Sequence, residues 1–326
     1  MKLVVLDGHT LNPGDNPWDE VAALGELTVF DRTEPEEIVS RAAGAGIVVT
    51  NKTPLMEGVL TRLPELRFIS VLATGFNVVD VVAAGLLGIP VANVPVYGTA
   101  AVAQHTIALL LELCNRVGLH DEAVKRGEWL QSPDFSFTRS PLVELAGKHF
   151  GVIGFGRIGE RTARIAGAMG MEILACNHRP KSGPVDLPVS WVDLPELFAT
   201  ADVVSLHCPL NRDNGGFVNA GLLSLMKQSA FLINTARGAL INERDLAAAL
   251  SSGRIAGAAL DVLSREPHTP DNPLVSAPNC IITPHVAWAA LEARQRLMAA
   301  TAGNIRAFLA GAPINLVNGE FLAEER

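Results

Sequence analysis

The chain has 326 residues, enough for two domains; 48% of them are hydrophobic and only 5% are aromatic. Its formal net charge is -8 and it contains no basic run, which argues against a nucleic-acid partner. No apolar run approaches membrane-spanning length, the apolar start is too short for a signal peptide, and the four cysteines lack metal-ligand spacing. We therefore predict a cytoplasmic α/β protein with free thiols and no metal site.

The first hundred residues alternate short apolar strands with helices, a rhythm typical of a parallel sheet covered on both faces. Strands are predicted at residues 3–6, 27–30, 46–50, 68–72 and 91–94, and helices most clearly at 34–43 and 78–86. This block has no glycine fingerprint, so we do not expect it to bind a nucleotide. A long apolar helix at 101–113, a more polar helix at 120–129 and an ordered loop at 131–141 follow.

A glycine-rich turn comes next, where an apolar strand runs into Gly154, Gly156 and Gly159. The first glycine permits a tight turn, the second lets the backbone approach a pyrophosphate, and the third lets the helix pack close to the strand. Free N–H groups at the helix start, including those of Arg157 and Ile158, then face the phosphates. An ordinary glycine-rich loop is the alternative, but the helix behind the turn and the strand at 172–176 favour a dinucleotide site.

Further strands are predicted at residues 203–206, 231–234, 258–261 and 280–283, before a long helix at 289–309. The segment after that helix, at 312–316, can rejoin the first block. We therefore predict an α/β protein with two doubly wound parallel-sheet domains. A Rossmann-type cofactor domain (residues 99–288) is inserted in a discontinuous, flavodoxin-like substrate domain (residues 1–98 and 289–326).

Polar side chains follow the predicted strands of the second domain, at the edge where ligands bind in open parallel sheets. Arg237 can bind a carboxylate or carbonyl through its fixed fork, although a surface ion pair with Glu243 or Asp245 is an equal alternative. Asp261 and Glu266 are acids at a strand end and in the following loop, where caps and turns are common. His105 and His207 are possible pocket neighbours, but a structural role is more typical of histidines in such positions.

Of the eight histidines, His285 has the best context for chemistry because it follows a strand and a proline. A histidine that carries a proton benefits from a partner that fixes its tautomer, and Glu266 is the candidate. An acid, a histidine and an arginine beside a dinucleotide suit hydride transfer between nicotinamide and a carbon bearing oxygen.

These motifs, taken in order along almost the whole chain, resemble the D-isomer-specific 2-hydroxyacid dehydrogenases. The matching runs are the glycine turn, residues 72–77, 234–238, 261–267 and 283–285. Within the family, residues 4–15, 132–135 and 285–296 are most similar to the glycerate dehydrogenases, also called hydroxypyruvate reductases. One departure is Thr138, where that group often has an aromatic residue.

The resemblance implies residue roles. His285 is the general acid held by Glu266, and Arg237 binds the substrate carboxylate and carbonyl. Backbone N–H groups of Thr74, Gly75 and Phe76 hold the carboxylate, and Asp261 accepts a hydrogen bond from the nicotinamide carboxamide. Cofactor contacts are also expected from Asn177, His178, Arg179, Cys208, Pro209, Thr235 and Ala236. The resemblance further implies two domains closing over the substrate and a homodimer built through the cofactor domain and the helices after Thr99.

The end of the second cofactor-domain strand favours NADP over NAD. Members that use NAD usually carry an acid there for the ribose hydroxyls, whereas this chain has Asn177, and Arg179 can bind a 2′-phosphate. The alternative is that Asn177 binds the ribose and Arg179 points to solvent.

Hydroxypyruvate and glyoxylate are the expected substrates, with another D-2-hydroxyacid left open. A dinucleotide-sensing interaction protein of the same fold is the alternative from another class. Formate dehydrogenases pair their histidine with glutamine rather than glutamate, and phosphoglycerate dehydrogenases differ around Trp288, so both are disfavoured.

Overall fold

Two parallel β-sheets organise the chain, one in each of two units. The computed structural model describes residues 1–178 and 185–322. Met1–Gly98 together with the chain from Trp288 onward forms one unit, here called the split unit, and Thr99–Ala287 forms the inserted unit. In the described residues, no helix is long and apolar enough to cross a membrane.

The strands are β1 (Lys2–Val5), β2 (Glu26–Val29), β3 (Ile47–Thr50), β4 (Phe68–Val71), β5 (Val91–Ala92), β6 (His149–Ile153), β7 (Glu172–Cys176), β8 (Ser190–Trp191), β9 (Val203–Leu206), β10 (Phe231–Asn234), β11 (Gly257–Leu260) and β12 (Cys280–Ile282). The helices are α1 (Asp19–Ala22), α2 (Ile38–Ala42), α3 (Glu57–Leu60), α4 (Val81–Leu86), α5 (Thr99–Asn115), α6 (Val117–Lys125), α7 (Arg157–Ala168), α8 (Leu194–Thr200), α9 (Ala220–Leu223), α10 (Glu243–Ser251) and α11 (Leu291–Leu309).

The split unit has strand order β2-β1-β3-β4-β5, and all pairings are parallel. Strands β3 and β4 are buried along their whole length, as expected for a sheet covered on both faces. Helix α11 returns to this sheet, where Phe308 stacks on Phe68 with ring centroids 4.5 Å apart. The segment after α11 adds an antiparallel bridge between Leu316 and Ala92, which joins the two pieces of the unit.

The inserted unit has strand order β12-β11-β10-β9-β6-β7-β8, again with parallel pairings. The chain runs outward from β6 through β7 and β8 and then restarts at β9 on the other side of β6. The strand order therefore reverses between β6 and β9, where ligands bind in sheets of this kind. The prediction of two parallel-sheet α/β domains is confirmed.

Local chemistry explains where predicted elements shift. Helix α4 begins at Val81 because the Asp80 side chain accepts a hydrogen bond from the Ala83 N–H, so Asp80 is an N-cap. Helix α5 ends at Asn115, since Arg116 takes a left-handed backbone with φ of 47°, and α6 starts directly after it. Strand β5 is shorter than predicted because the Asn93 N–H donates to Asn315 instead.

Candidate active site

Six neighbouring strands of the inserted sheet have aligned residues at the same edge of the sheet. Cys176, Ile153, Leu206, Asn234, Leu260 and Ile282 are aligned partners across β7, β6, β9, β10, β11 and β12. The residues that follow them are Asn177, Gly154, His207, Thr235, Asp261 and Thr283. Adjacent strands lie about 4.8 Å apart, and β6 and β11 are three strand spacings apart. The glycine turn after β6 and Asp261 after β11 are therefore separated by about 14 Å along this edge. An elongated ligand lying across the strand ends would meet both.

The glycine turn between β6 and α7 is built for close approach. Gly154 has φ of +93°, and a Cβ built on it would lie 2.5 Å from the Cys208 nitrogen. A Cβ on Gly159 would collide with the Gly154 carbonyl oxygen. By contrast, a Cβ on Gly156 would meet nothing within 4 Å, and this residue is the N-cap of α7, so no side chain caps the helix. The open space over Gly156 and the N–H groups of Arg157 and Ile158 fit a phosphate group.

Asn177 lies beside this turn. The Phe155 N–H donates a 2.6 Å hydrogen bond to Asn177 Oδ1, which directs the amide nitrogen Nδ2 away from the turn. His178 follows and is exposed, while Arg179 lies outside the described residues. Cys208 and Pro209 directly follow His207, and the Thr235 hydroxyl is 2.9 Å from that of Thr106 on α5.

His285 and Glu266 form a close pair. Nδ1 of His285 lies 2.6 Å from Glu266 Oε2, while the other carboxylate oxygen accepts the Leu263 N–H at 3.1 Å. The carboxylate is therefore held by its own loop, and the histidine's Nε2 is the ring nitrogen turned away from Glu266. A depression of about 460 Å³ adjoins the pair, lined by residues that include Asp261, Cys280 and Thr283.

Asp261 organises the backbone around His285. Its buried carboxylate accepts hydrogen bonds from the Thr283 hydroxyl at 2.6 Å and from the Val286 and Ala287 N–H groups at 2.9 Å each. These bonds stabilise the left-handed backbone of His285, whose φ is 54°.

The charge of Asp261 is favoured by its surroundings. Burial alone would raise the pKa of Asp261, but hydrogen bonds from His105, Thr283 and the two N–H groups together lower that pKa. His105 Nε2 lies 3.1 Å from the Thr283 hydroxyl and 3.5 Å from Asp261 Oδ1. Burial lowers the pKa of His207 to about 4, so the surroundings of this side chain favour its neutral form.

Arg237 lies on a loop shaped by buried Asn234. The Asn234 side chain accepts the Ala236 N–H at 2.9 Å and donates to the Arg237 carbonyl at 2.8 Å. A Cβ on Gly238 would collide with the Leu263 carbonyl, so this loop packs against the loop that carries Glu266.

The Arg237 guanidinium itself is exposed and donates to the Ala236 carbonyl. The alternative partners have other contacts. The Glu243 carboxylate accepts from Ser264 and Asn272, and the Asp245 carboxylate accepts from the Ala220 N–H. The exposed fork is therefore available to an incoming carboxylate.

The predicted substrate loop, Thr74 to Phe76, follows β4 in the split unit. Within the described residues, the Gly75 and Phe76 N–H groups have no acceptor, as a carboxylate-binding loop requires. Sequence reasoning missed Asn93, whose side chain donates to the Thr74 carbonyl at 2.7 Å. No sequence signal marks Asn93, because it lies inside the strand predicted at residues 91–94.

The chain is similar to known proteins over almost its whole length. Residues 107–287 match the family model described as the D-isomer specific 2-hydroxyacid dehydrogenase, NAD binding domain. The chain is 50% identical to a hydroxypyruvate reductase of Blautia hydrogenotrophica over 98% of this chain and 100% of the relative. It is 42% identical to a glycerate dehydrogenase of Methylorubrum extorquens over 97% and 98%. A solved acyclic imino acid reductase, in complex with NADPH and D-Arg, matches with a TM-score of 0.85 and 32% identity, over 97% of this chain and all of the other.

Proposed function

This chain belongs to the D-isomer-specific 2-hydroxyacid dehydrogenase family, and we propose that it reduces hydroxypyruvate, and also glyoxylate, with NADPH. The products are D-glycerate and glycolate. The observation that carries the proposal is the 2.6 Å contact between His285 and Glu266, on the same sheet edge as the glycine turn. The relatives named hydroxypyruvate reductase and glycerate dehydrogenase support the choice of substrate.

The cofactor is held at the glycine turn, by Gly154, Gly156, Arg157, Ile158 and Gly159. Asn177, His178, Cys208, Pro209, Thr235, Ala236 and Asp261 continue this contact surface along the sheet edge. When bound, the reduced nicotinamide supplies a hydride to the carbonyl carbon of the substrate.

His285 supplies the proton. Its Nδ1–H donates to Glu266, so Nε2 is the atom that delivers a proton to the carbonyl oxygen. The Glu266 carboxylate holds the ring in one orientation and stabilises the imidazolium before the transfer. Asp261 keeps the turn at residues 285–287 in place through its hydrogen bonds.

Arg237 binds the substrate carboxylate and stabilises the developing negative charge on the carbonyl oxygen. The backbone N–H groups of Gly75 and Phe76, with Thr74, are the second set of carboxylate contacts. Both assignments follow from the resemblance and are supported by the exposed guanidinium and by the N–H groups without acceptors in the described chain.

NADP is favoured over NAD because of Asn177. Its Nδ2 is a donor and its side chain carries no charge, so nothing on it repels a 2′-phosphate, whereas an acid would. The relative solved with NADPH is compatible with this choice. Arg179, the expected phosphate contact, lies outside the described residues.

A homodimer and a cytoplasmic location complete the proposal. Large apolar side chains are exposed on the segment after α6, where Leu130 is 92% and Phe135 90% exposed. Such residues are typical of a protein interface. Light scattering on the purified protein measures the oligomeric state.

The proposal is tested by measuring kcat/KM for NADPH and NADH against hydroxypyruvate, glyoxylate, pyruvate and larger 2-ketoacids. The expected result is highest kcat/KM for hydroxypyruvate with NADPH. No ketoacid-dependent oxidation of either cofactor would instead favour a dinucleotide-sensing protein.

The variant Asn177→Asp tests the cofactor assignment. It keeps the acceptor for the Phe155 N–H but adds a charge, so we expect the NADPH/NADH ratio of kcat/KM to fall about tenfold or more. Asn177→Ala is the control. It should weaken the binding of both cofactors but leave kcat/KM higher for NADPH than for NADH. An unchanged ratio in Asn177→Asp would show that this residue does not read the 2′-phosphate.

A further inference from the structure

We propose that Asn93 is a positioning residue that directs the Gly75 N–H toward the substrate carboxylate. The inference rests on the proposed function, in which residues 74–76 bind that carboxylate. It assigns a task to a side chain outside every motif that the sequence offers, and all of its contacts lie within the split unit.

The geometry starts from one peptide group. The Asn93 Nδ2 donates a 2.7 Å hydrogen bond to the Thr74 carbonyl oxygen. The carbonyl of Thr74 and the N–H of Gly75 belong to the same planar trans peptide and point in opposite directions. A carbonyl held by Asn93 therefore leaves the Gly75 N–H pointing away from Asn93.

The same segment is tied a second time. The Thr74 hydroxyl donates to the Val94 carbonyl at 2.9 Å, and the Val94 N–H donates to the Ala73 carbonyl at 3.0 Å. Residues 73 and 74 are thus held along their length by residues 93 and 94, whereas the Gly75 and Phe76 N–H groups have no acceptor in the described chain.

Asn93 is itself held by two further asparagines. Asn304 on α11, fully buried, donates through Nδ2 to the Asn93 carbonyl at 2.8 Å. The Asn315 side chain donates to Asn304 Oδ1 at 2.8 Å, and the Asn315 carbonyl accepts the Asn93 N–H at 3.2 Å. Asn93 is 8% exposed, so its amide bonds in a setting with little competition from water. This relay of neutral amides fixes the Asn93 backbone and, through it, the Thr74 peptide.

The test compares two isosteric variants. Asn93→Asp replaces the donor to Thr74 with an acceptor that repels the carbonyl. Asn318→Asp is the matched control, because buried Asn318 also contacts β5: its Oδ1 accepts the Val91 N–H and its Nδ2 donates to the Ile89 carbonyl, each at 2.9 Å. Asn318 has no contact with Thr74 in the described chain. Each variant replaces a buried amide donor near β5 with a carboxylate oxygen, so the two variants should disturb the local packing to a similar extent.

The expected result is a rise of about tenfold in KM for hydroxypyruvate in Asn93→Asp, with kcat and the KM for NADPH within about twofold of wild type. Asn318→Asp should lower the melting temperature but leave the KM for hydroxypyruvate within about twofold. An equal rise in KM in both variants, or no rise in Asn93→Asp, would overturn the inference.

A second readout needs no turnover. Thr–Gly occurs once in the sequence, at residues 74–75, so ¹³C-carbonyl threonine with ¹⁵N-glycine gives one signal from this peptide group. Oxamate, an unreactive analogue of a 2-ketoacid with the same carboxylate, should shift the Gly75 amide proton downfield in the NADPH-bound protein. The shift should shrink in Asn93→Asp and persist in Asn318→Asp.

The two readouts separate this inference from the proposed function. Wild-type protein without ketoacid turnover, but with the expected oxamate shifts, would refute the function and support the role of Asn93. Normal turnover without an oxamate shift at Gly75 would overturn the role of Asn93 and leave the function standing. Absence of both would overturn both.

Discussion

The two candidate functional regions of this molecule, the His285 edge and the Thr74–Phe76 loop, are stabilised by different chemical groups. In the inserted unit, two carboxylates stabilise the His285 turn. Asp261 accepts three hydrogen bonds around the turn, and Glu266 pairs with the His285 ring. In the split unit, neutral amides hold the loop, from Asn315 through Asn304 and Asn93 to Thr74. A group that gains and loses a proton needs a charged partner, whereas a group that only binds needs a fixed direction.

This contrast predicts a division in kinetics. Changes at the carboxylate-held edge should act mainly on kcat, and changes at the amide-held loop should act mainly on the KM of the ketoacid. The next three variants test the division from the side of the inserted unit, in order of expected effect.

His285→Ala should have the largest effect. Without the proton donor, kcat should fall by about a thousandfold to ten-thousandfold, while NADPH affinity, measured by fluorescence titration, stays near that of wild type. His149→Ala is the control, because His149 lies at the opposite end of β6, next to Asp202 and Glu172, and should leave kcat near wild type. A near-normal kcat in His285→Ala would end the assignment of proton transfer to this residue.

Arg237→Ala should have the second-largest effect, and it should change both kcat and the KM for the ketoacid. Its guanidinium both binds the carboxylate and stabilises developing charge, so we expect kcat to fall about a hundredfold and KM for hydroxypyruvate to rise. Arg237→Lys keeps the charge without the fork and should recover only part of the loss. If KM did not change in Arg237→Ala, carboxylate binding would have to be assigned elsewhere.

Asp261→Asn should have the smallest kinetic effect of the three, about a tenfold loss of kcat, because an amide can still accept one hydrogen bond at the His285 turn. The KM for hydroxypyruvate should change little. A large rise in that KM with an unchanged kcat would break the division between the two edges.

The same variant carries a pH signature. The fold lowers the pKa of Asp261 below its ordinary value near 3.8, so the stabilisation is fully present above that value. It is lost as the pH falls through the lowered pKa. The difference in free energy of unfolding between wild type and Asp261→Asn should therefore shrink on acidification. Urea unfolding between about pH 3 and pH 7 measures it; a constant difference would contradict this sign.

Much of the inserted edge could be predicted because its logic is local. Strand ends in a parallel sheet meet at one edge, so residues that follow Ile153, Asn234, Leu260 and Ile282 could be placed together from their strands alone. The family and the two parallel sheets predicted from the sequence are confirmed. The residue roles stay predictions until the variants are measured.

The asparagine relay could not be predicted, because it depends on contacts between distant positions. Asn304 and Asn93 are separated by 211 residues, and Asn93 lies inside the strand predicted at residues 91–94, where its side chain carries no sequence signal of its own. The start of α4, which is set by the single side chain of Asp80, could not be predicted from the apolar pattern either. The apolar pattern of α4 continues to either side of the cap, so it does not show where the helix begins.

The division of the split unit also has a consequence for synthesis. The inserted unit, Thr99–Ala287, is continuous, so all its strands are synthesised before Asn304, Asn315 and Leu316. The contacts of β5 with Leu316, and those of Asn93 with Asn304 and Asn315, form only after these residues have been made. A released chain that ends before Asn304 would contain the whole inserted unit but lack the asparagine relay, so we expect it to bind the cofactor without binding or reducing the ketoacid.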